Sequence, residues 1–329
     1  MILAGDIGAT KTVLALFDPD AHGSGELLHE SRFASRDYDS LEAIVELFLK
    51  QVPVQPAAAS FGVPGPVKNQ QSQVTNLSWS ISAETLSARF GIGKVFLLND
   101  LEAVATVLPH LQAEDLATIN PGLAEPDGTI SIVAPGTGLG TAFLVWTGKR
   151  YKAMASEGGH SSFAPATPEQ VELLEFLQRK YGHVSFERLC SGSHLPNIYD
   201  FYLQQGRYPE PDWLREELAG LSDRTPLIIQ NGIQQKTQIC TAVLDMFVQT
   251  LATVIGNMAV TLLPRGGIYL GGGIPPRILH RLQRPDFIEA VTEKGRFSDL
   301  CAAMPLHVIL KSNAGLLGAA RFGINALKD

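Results

Sequence analysis

Short apolar runs separated by glycine-, proline- and serine-containing turns recur along the whole chain, a pattern typical of a protein that mixes strands and helices. Near the N-terminus, Ile2–Ala4 and Val13–Leu16 are two such runs, and a glycine-rich turn joins them. The run Glu26–Ala34 predicts a third strand. After Ser40, apolar residues recur three and four positions apart, so this serine is predicted to be the N-cap of an amphipathic helix.

The same alternation continues up to residue 108. Ala57–Val63 predicts a strand that ends at a Pro-Gly-Pro turn, and Ser82–Gly91 predicts a short helix with glycine at its end. Lys94–Leu98 is a compact apolar run and predicts a central strand of a sheet. A helix is predicted to follow it at about Leu101–Leu108.

The rest of the chain predicts a second set of strands and helices. Strands are expected around Ile130, Thr141 and Arg150, whereas the polar, proline-containing stretch Ser191–Thr225 predicts only irregular segments. The other predicted elements are a helix over Thr167–Gly182, a long helix over Gln234–Leu263, a strand over Gly266–Leu270, a helix from Pro275, a strand over Met304–Leu310 and a helix over Leu316–Leu327.

A chain of 329 residues is long for a single hydrophobic core, so two domains are expected. The proline- and glycine-containing stretch Asn120–Gly128 predicts the boundary between them.

Composition excludes several classes of partner. The net charge of −7 comes without a basic block, so neither nucleic acid nor an acidic membrane surface is expected to bind. The cysteines Cys190, Cys240 and Cys301 lack metal-ligand spacing and predict buried thiols in a reducing compartment. The N-terminus lacks the pattern of a signal peptide, and the apolar segment Ile239–Leu263 contains polar residues that argue against a membrane span. A soluble cytoplasmic protein is expected.

Two glycine-rich turns carry the first chemical signal. The turn GDIGATKT covers residues 5–12, and APGTGLG covers residues 134–140. Each joins two strand-like runs, so its backbone N–H groups and hydroxyls are available to an anion. Neither is a P-loop or a Rossmann fingerprint, because Gly-Lys-Ser/Thr is missing from both and a strand, not a helix, follows the second. A plain hairpin turn is the competing explanation.

Three acidic positions and one histidine carry the second signal. Asp100 follows Asn99 at the end of a predicted strand, where open α/β sheets bind ligands. Its carboxylate could take a proton from a bound substrate, or it could simply cap the next helix. Glu157 and His160 stand in EGGH on a glycine-rich loop, and Glu187 follows a possible cap at Ser185. For Glu187, interaction with the helix dipole is an equally good explanation.

Five motifs in order, GDIGATKT, LLNDLEA, APGTGLG, EGGH and GGG at residues 271–273, resemble those of the bacterial glucokinases, within the hexokinase and actin-like ATPase superfamily. The resemblance extends over essentially the whole chain, through NAGLLG at residues 313–318. It implies a two-domain α/β protein with the actin-like ATPase (ribonuclease H-like) fold and an active-site cleft between the domains. The expected division is a small α/β domain of residues 1–110 and 313–329 and a large α+β domain of residues 111–312.

The resemblance also implies an ATP-dependent kinase that converts glucose to glucose 6-phosphate, with Mg²⁺ accompanying ATP and a homodimer as the expected assembly. Asp100 is then the general base. The residues implied for glucose are Asn99, Asp100, Glu157, His160, Glu187 and, in a supporting role next to Trp79, Asn76. Those implied for ATP are Gly5, Asp6, Ile7, Gly8, Ala9, Thr10, Gly136, Thr137, Gly138, Gly272 and Gly273, and Asp6 is implied to hold Mg²⁺ directly or through water. A strand-to-helix turn competes for the glycines at 271–273, and a structural tryptophan competes at Trp79.

One departure from the family pattern is Ala9, where glycine is usual, so the first turn is not expected to require a glycine-only dihedral angle. Two alternatives remain at this point. The first is a kinase for another hexose; the Cys-rich zinc loop of the related repressor-and-kinase branch is missing from the sequence. The second is an actin-like ATPase of the filament or chaperone type, which has no need for the Glu157, His160 and Glu187 set.

Overall fold

The computed structural model describes residues 1–19, 25–74 and 77–328. Its strands are β1 (Ile2–Ile7), β2 (Lys11–Asp18), β3 (Glu26–Ala34), β4 (Ala58–Val63), β5 (Gln71–Gln73), β6 (Ser80–Ser82), β7 (Lys94–Asn99), β8 (Leu116–Asn120), β9 (Ile130–Pro135), β10 (Leu139–Trp146), β11 (Tyr151–Ser156), β12 (Gly267–Leu270) and β13 (Leu306–Ile309). Its helices are α1 (Leu41–Leu49), α2 (Ala83–Phe90), α3 (Asp100–Val107), α4 (Pro168–Tyr181), α5 (Pro196–Gln205), α6 (Asp212–Ala219), α7 (Thr225–Ile233), α8 (Gln238–Leu262), α9 (Leu279–Leu282), α10 (Pro285–Thr292), α11 (Ser298–Ala302) and α12 (Ala314–Lys328).

These elements form two compact units. The first contains Met1–Gln112, Thr147–Ala155 and Lys311–Asp329, and the second contains Ala113–Trp146 and Ser156–Leu310. The predicted small domain, residues 1–110 and 313–329, lacks the segment 147–155 that the first unit contains, and its boundaries lie two residues from those of the unit. That the two parts are folding domains remains a prediction.

The sheet of the first unit has the order β3-β2-β1-β4-β7. β1, β2 and β3 are antiparallel neighbours, whereas β1, β4 and β7 run parallel. The carboxyl ends of these three parallel strands therefore lie at the same edge of the sheet. α3 and α12 pack against each other, and α12 also packs on β1 and β4, with small residues such as Ala319 and Ala320 fully buried.

The sequence predicted a central strand at Lys94–Leu98, and this was wrong, because β7 is the edge strand of its sheet. The side chain of Gln70 partly replaces a neighbouring strand. Its Oε1 accepts a hydrogen bond from the Leu97 N–H at 2.8 Å, and its Nε2 donates to the Leu97 carbonyl at 3.4 Å. The Gln70 contacts satisfy backbone groups that an edge strand would otherwise expose. The sequence shows only the apolar composition of the strand, which is typical of a central one.

In the second unit, five strands follow the order β10-β9-β12-β13-β8. β12 lies parallel to both β9 and β13, and β9 and β10 form the second glycine-rich hairpin. α8 is the central helix of this unit, packing against α5, α7 and α10. By length and composition α8 could cross a membrane, contrary to the sequence prediction, but 78% of its most apolar stretch is buried within the protein. Burial of this kind is what the core helix of a globular unit shows.

Several local predictions are confirmed. β3 has the predicted bounds, Ser40, Ser82 and Thr167 accept N-cap hydrogen bonds, and Gly91 ends α2 in the left-handed conformation. Others were wrong: residues 191–225 contain α5 and α6, and the helix expected from Pro275 begins at Leu279. β8 and α7 were missed. The three cysteines are buried and free, as predicted.

Candidate active site

The carboxyl ends of β1, β4 and β7 bring two aspartates together in the first unit. Asp6 pairs with Gly62 across β1 and β4, and Asp100 directly follows β7. A Cβ atom placed on Gly62 would lie 3.7 Å from Cα of Asp100 and 3.8 Å from the carbonyl oxygen of Gly5. Asp6 and Asp100 therefore lie near the end of β4, where the missing side chain of Gly62 lets Ala103 of α3 approach: a Cβ there would lie 3.1 Å from the Ala103 Cβ.

Asn99, not Asp100, is the N-cap of α3. Its Oδ1 accepts hydrogen bonds from the N–H groups of Leu101 and Glu102 at 3.0 and 3.3 Å, and its Nδ2 donates to the Gly65 carbonyl at 3.0 Å. The capping explanation for Asp100 is therefore wrong. Asp100 uses only Oδ1 within the helix start, on the Leu101 N–H at 2.8 Å, which leaves Oδ2 available to a ligand.

Burial raises the pKa of the Asp100 carboxyl above its ordinary value, and the negative charge of Asp6 raises it further, although the Leu101 N–H opposes the shift. Burial also raises the pKa of Asp6, against the effect of the Lys11 charge. The raised proton affinity of Asp100, to which the Asp6 charge contributes, favours binding of a proton or a cation beside these two carboxylates.

Asp6 lies against the first turn of α12. A Cβ atom on Gly315 would lie 3.3 Å from Cγ of Asp6, so any side chain at residue 315 would press on the carboxyl group. Within the described residues, the Asp6 carboxylate makes no hydrogen bond. Sequence reasoning did not find Gly315, because the two residues stand near opposite ends of the chain and leave no local sign of this contact.

The turn between β1 and β2 is held from outside by Ser35. The Gly8 N–H donates to the Lys11 carbonyl at 3.0 Å, and the Ser35 hydroxyl donates to the Gly8 carbonyl at 2.6 Å. Thr12 Oγ1 and Ser35 Oγ are 2.9 Å apart, and both residues are fully buried. None of residues 8–11 has a positive φ, which confirms that this turn tolerates Ala9. Thr10 remains exposed, as a phosphate-binding residue requires.

The second hairpin, in the second unit, is held by backbone groups of another loop. The Gly136 N–H donates to the Gly138 carbonyl at 2.9 Å, which closes the turn. The Gly192 N–H donates to the Gly136 carbonyl at 2.7 Å, and the Ser193 N–H donates to the Thr137 carbonyl at 3.2 Å. These contacts use the outward carbonyls of the turn and leave the Thr137 N–H and hydroxyl to a ligand.

Glu187 links this hairpin to the predicted sugar-binding residues. Its Oε2 accepts the Leu139 N–H at 3.0 Å and lies 4.0 Å from His160 Nε2, which in turn lies 3.9 Å from Glu157 Oε2. A Cβ atom on Gly138 would lie 2.7 Å from the same Glu187 oxygen. Ser185 makes no side-chain cap; Glu187 lies in the first turn of the short helix that follows, but its carboxylate accepts a hydrogen bond from β10.

A cavity of about 1160 Å³ lies beside the second hairpin, within the second unit. Gly136, Thr137 and Gly273 line it, and a Cβ atom placed on Gly136 or on Gly273 would meet no other atom within 4 Å. Gly272 has φ +81° and its Cβ would lie 2.5 Å from the Pro135 carbonyl oxygen, so only glycine fits there. Other lining residues that sequence reasoning missed include Lys180, Tyr181, Gly192, Ser193, Asn197 and Arg277.

The remaining predicted residues have other surroundings. Asn76 lies outside the described residues. Trp79 is 2% exposed and its Nε1 donates to the Tyr38 carbonyl at 3.1 Å, so it is part of the core, as the structural explanation held. Gly5 packs against Phe61, and the Ile7 side chain is buried, so both could meet ATP only through their backbone. Among the described residues, no group of three or more His, Cys, Asp or Glu side chains is placed to hold a metal.

Comparison with solved structures first defines the class, a sugar kinase with the actin-like ATPase fold. A ROK hexokinase from Thermus thermophilus shares the fold, with a TM-score of 0.67 over 100% of this chain and 99% of that one at 20% identity. A glucokinase from an Antarctic psychrotroph is nearer, with a TM-score of 0.85, 30% identity and 98% coverage of both chains.

The family follows from the sequence. The glucokinase family model matches residues 3–326. A glucokinase of Nostoc sp. (strain PCC 7120) is 34% identical, over 97% of this chain and 98% of the relative. The chain belongs to the glucokinase family, and the predicted fold and enzyme class, ATP-dependent phosphorylation of glucose, are confirmed. The filament or chaperone alternative has no support in these comparisons.

Proposed function

We propose that Asp100 is the general base of this glucokinase and takes the proton from the 6-hydroxyl of glucose while that oxygen attacks the γ-phosphorus of ATP. The observation that carries the proposal is that Asn99, and not Asp100, caps α3. Asp100 therefore keeps an oxygen free, and the charge of the Asp6 carboxylate acts on it. A base of this kind must be deprotonated yet retain proton affinity, which the raised pKa of Asp100 provides.

In this mechanism one P–O bond forms as another breaks. The glucose O6 atom binds the γ-phosphorus, the bond to the β-γ bridging oxygen breaks, ADP leaves, and the proton from O6 passes to Asp100. Glu157, His160 and Glu187 are proposed to hold sugar hydroxyls, with Asn99 at the same end of the sugar as Asp100. Their polar atoms suit a ligand whose every buried hydroxyl needs a partner.

We propose that ATP binds along the 1160 Å³ cavity with its phosphates on the two glycine hairpins. Thr10 and Thr137, with backbone groups of Gly8, Ala9, Gly136 and Gly138, are the proposed phosphate ligands, and Gly272 and Gly273 are proposed to face the adenosine. The absence of a Cβ at Gly273 leaves flat open backbone on the cavity wall.

Asp6 fits a role as the Mg²⁺ ligand. Mg²⁺ that accompanies a nucleotide takes one or two carboxylates and fills its other positions with phosphate oxygens and water, so no larger cluster is needed. Within the described residues the Asp6 carboxylate makes no hydrogen bond or close ion pair, and the Lys11 charge acts on it. When bound, the ion would neutralise charge on the transferring phosphoryl group. We further propose that the protein acts in the cytoplasm as a homodimer, which sedimentation of the purified chain would test.

The test is turnover of Asp100→Asn with Glu102→Gln as the matched control. Glu102 is two residues away on the same helix, and burial also raises its pKa, but the mechanism gives it no role. We expect kcat of Asp100→Asn to fall by about 10² to 10⁴, the range for loss of general base catalysis, with little change in KM for glucose. Glu102→Gln should stay within about threefold of the parent. Equal turnover of Asp100→Asn and the parent would exclude the base assignment.

The sugar is tested in the same assay with glucose, mannose and fructose as acceptors. The proposal expects the highest kcat/KM for glucose, with ATP as donor. A higher kcat/KM for another hexose would contradict it.

A further inference from the structure

Two positively charged side chains share one aromatic ring at the wall of the cavity. Lys180 Nζ lies 5.1 Å and Arg188 Cζ lies 4.2 Å from the centroid of the Tyr181 ring, distances at which each cation interacts with the ring face. Lys180 donates to Asn197 Oδ1 at 2.9 Å, and Arg188 donates to His194 Nε2 at 2.6 Å. Within the described residues neither cation has a carboxylate partner.

The histidine beside Arg188 is neutral. Since its Nε2 accepts from Arg188, its Nδ1 carries the hydrogen and donates to Ser191 Oγ at 3.0 Å, and that hydroxyl donates to the Glu187 carbonyl at 2.8 Å. Burial, and then the charge of Arg188, lower the pKa of His194, in keeping with this arrangement. The imidazole therefore orients Arg188 without neutralising it.

The nearest acidic groups are already engaged. Glu187 Oε2 accepts the Leu139 N–H, and Asp200 is paired with both terminal nitrogens of Arg224 at 2.9 and 3.1 Å. Asp223 accepts the Thr225 N–H at 3.0 Å. Two like charges around one ring repel each other, so an anion that contacts both is favoured there.

This cation pair belongs to the same part of the second unit as the glycine hairpin. Lys180 and Tyr181 line the cavity together with Gly136 and Thr137. Arg188 precedes the loop whose Gly192 and Ser193 N–H groups bind the carbonyls of the hairpin. Lys180 can therefore meet a ligand that lies on the hairpin, and Arg188 is held against the same Tyr181 ring that lines the cavity with Lys180.

We propose that Lys180 and Arg188, held around Tyr181, form an anion site for the phosphate chain of the nucleoside triphosphate. The inference rests on the proposed function, because it assigns the cavity to ATP, and it adds charged side-chain ligands to a site otherwise built from backbone groups and threonine. The recognised chemistry is a phosphate oxyanion. A free inorganic polyphosphate would present the same group, so the test includes it.

The test is calorimetric binding to the whole protein in the absence of glucose, with Lys180→Gln, Arg188→Gln and Arg188→Lys. Lys180 is exposed, so its replacement should leave folding intact, and the melting temperature of each variant checks this. Each glutamine variant should weaken binding of a non-hydrolysable ATP analogue and of inorganic tripolyphosphate about tenfold, the loss of one charge-assisted hydrogen bond. Adenosine should bind as it does to the parent, and Arg188→Lys should recover part of the loss.

Lys236→Gln is the control, because Lys236 is an exposed lysine of the same unit outside the cavity lining. It should bind all three ligands like the parent. An ATP-analogue affinity of Lys180→Gln within twofold of the parent, or an equal loss for adenosine, would overturn the inference. Failure of the proposed base is distinguishable, since Asp100→Asn would then turn over glucose like the parent, whatever the Lys180 and Arg188 variants bind.

Discussion

The two glycine hairpins are similar in sequence but are supported in different ways. In the first unit, a side chain supports the β1–β2 turn, because the buried Ser35 hydroxyl donates to the Gly8 carbonyl. In the second unit, the β9–β10 turn is supported by N–H groups of Gly192 and Ser193 and by the Glu187 carboxylate. The first arrangement places a buried carboxylate at a fixed position. The second keeps backbone facing an open cavity and ties it to a residue proposed to bind the sugar.

This difference implies different tasks. The first unit carries the two carboxylates proposed to supply charge and proton affinity, Asp6 at the first hairpin and Asp100 after β7, so changes there should act mainly on turnover. The second hairpin supplies hydrogen-bond donors, so changes there should act mainly on binding. Because Glu187 contacts both Leu139 and the neighbourhood of His160, a disturbance of the second hairpin should also reach the sugar.

The largest effect in this comparison is expected for Asp6→Asn. Loss of the proposed Mg²⁺ ligand should reduce kcat at least about 100-fold, as for loss of a charge-stabilising group in phosphoryl transfer. The measurement is steady-state turnover over a range of Mg²⁺ concentrations. Unchanged kcat at saturating Mg²⁺ would contradict the metal role.

The same variant should make the ligand-free protein more stable. Because burial raises the pKa of Asp6, the folded protein binds a proton at this group more tightly than the unfolded chain does. The stability gained in this way is complete below the ordinary pKa of the group, near pH 4, and is lost as the pH rises through the raised value. At pH 7.5 with EDTA, Asp6→Asn should therefore melt roughly 2 °C above the parent, and the gap should close at acid pH. A lower melting temperature at pH 7.5 would contradict the pKa direction.

Gly136→Ala and Gly138→Ala separate the two ligands within the second hairpin. A Cβ on Gly138 meets Glu187 Oε2 at 2.7 Å, whereas one on Gly136, which lines the cavity proposed for ATP, meets no atom within 4 Å. Gly138→Ala should raise KM for glucose, and Gly136→Ala should raise KM for ATP, each about tenfold, the equivalent of one lost hydrogen bond to a charged group. Identical effects of the two variants on both substrates would remove the proposed link through Glu187.

Gly315→Ala is expected to have a smaller effect, through Asp6. Its Cβ would lie 3.3 Å from the Asp6 carboxyl carbon, which must shift by a few tenths of an ångström. We expect kcat to fall about fivefold, the effect of displacing a catalytic group slightly. Gly323→Ala on the same helix is the control, because its Cβ would meet Ile2 Cγ2 at 2.9 Å, away from both aspartates. A comparable loss of kcat in the two variants would show that the effect is structural.

The smallest effect on activity is expected for Ser35→Ala. It removes the hydrogen bond to the Gly8 carbonyl and leaves Thr12 Oγ1 without its buried partner, which should cost about 1–3 kcal/mol in the free energy of unfolding. kcat should change no more than about threefold, because no ligand contact is lost. Urea unfolding compares this variant with Ser31→Ala, which replaces a partly exposed serine of β3. Equal stability of the two variants would show that Ser35 does not support the turn.

Local features of the fold could be predicted from the sequence, whereas pairing over long distances could not. Ser40, Gly91 and Pro168 mark helix ends through their own backbone chemistry, and the structure has those ends. The edge position of β7 depends on Gln70, and the helices within 191–225 depend on partners such as the Tyr199–Glu210 hydrogen bond. Such partners are not visible in a local window of polar residues.

The candidate site shows the same limit. The motifs pointed to Asp6, Asp100 and Thr137, because glycine, acid and hydroxyl residues cluster within a few positions, whereas Glu187 was proposed only from the family resemblance. Gly315 could be found only after folding, since its contact with Asp6 forms between the two ends of the chain. The Lys180–Arg188 pair also escaped notice, because a helix and a loop are needed to bring both cations to Tyr181.

The most direct test of the account is a crystal structure of the protein with glucose, Mg²⁺ and a non-hydrolysable ATP analogue. The account predicts the glucose 6-hydroxyl within hydrogen-bonding distance of the Asp100 carboxylate, with Thr137 contacting a phosphate of the same complex. A complex in which the 6-hydroxyl contacts another group and Asp100 touches neither substrate would contradict it.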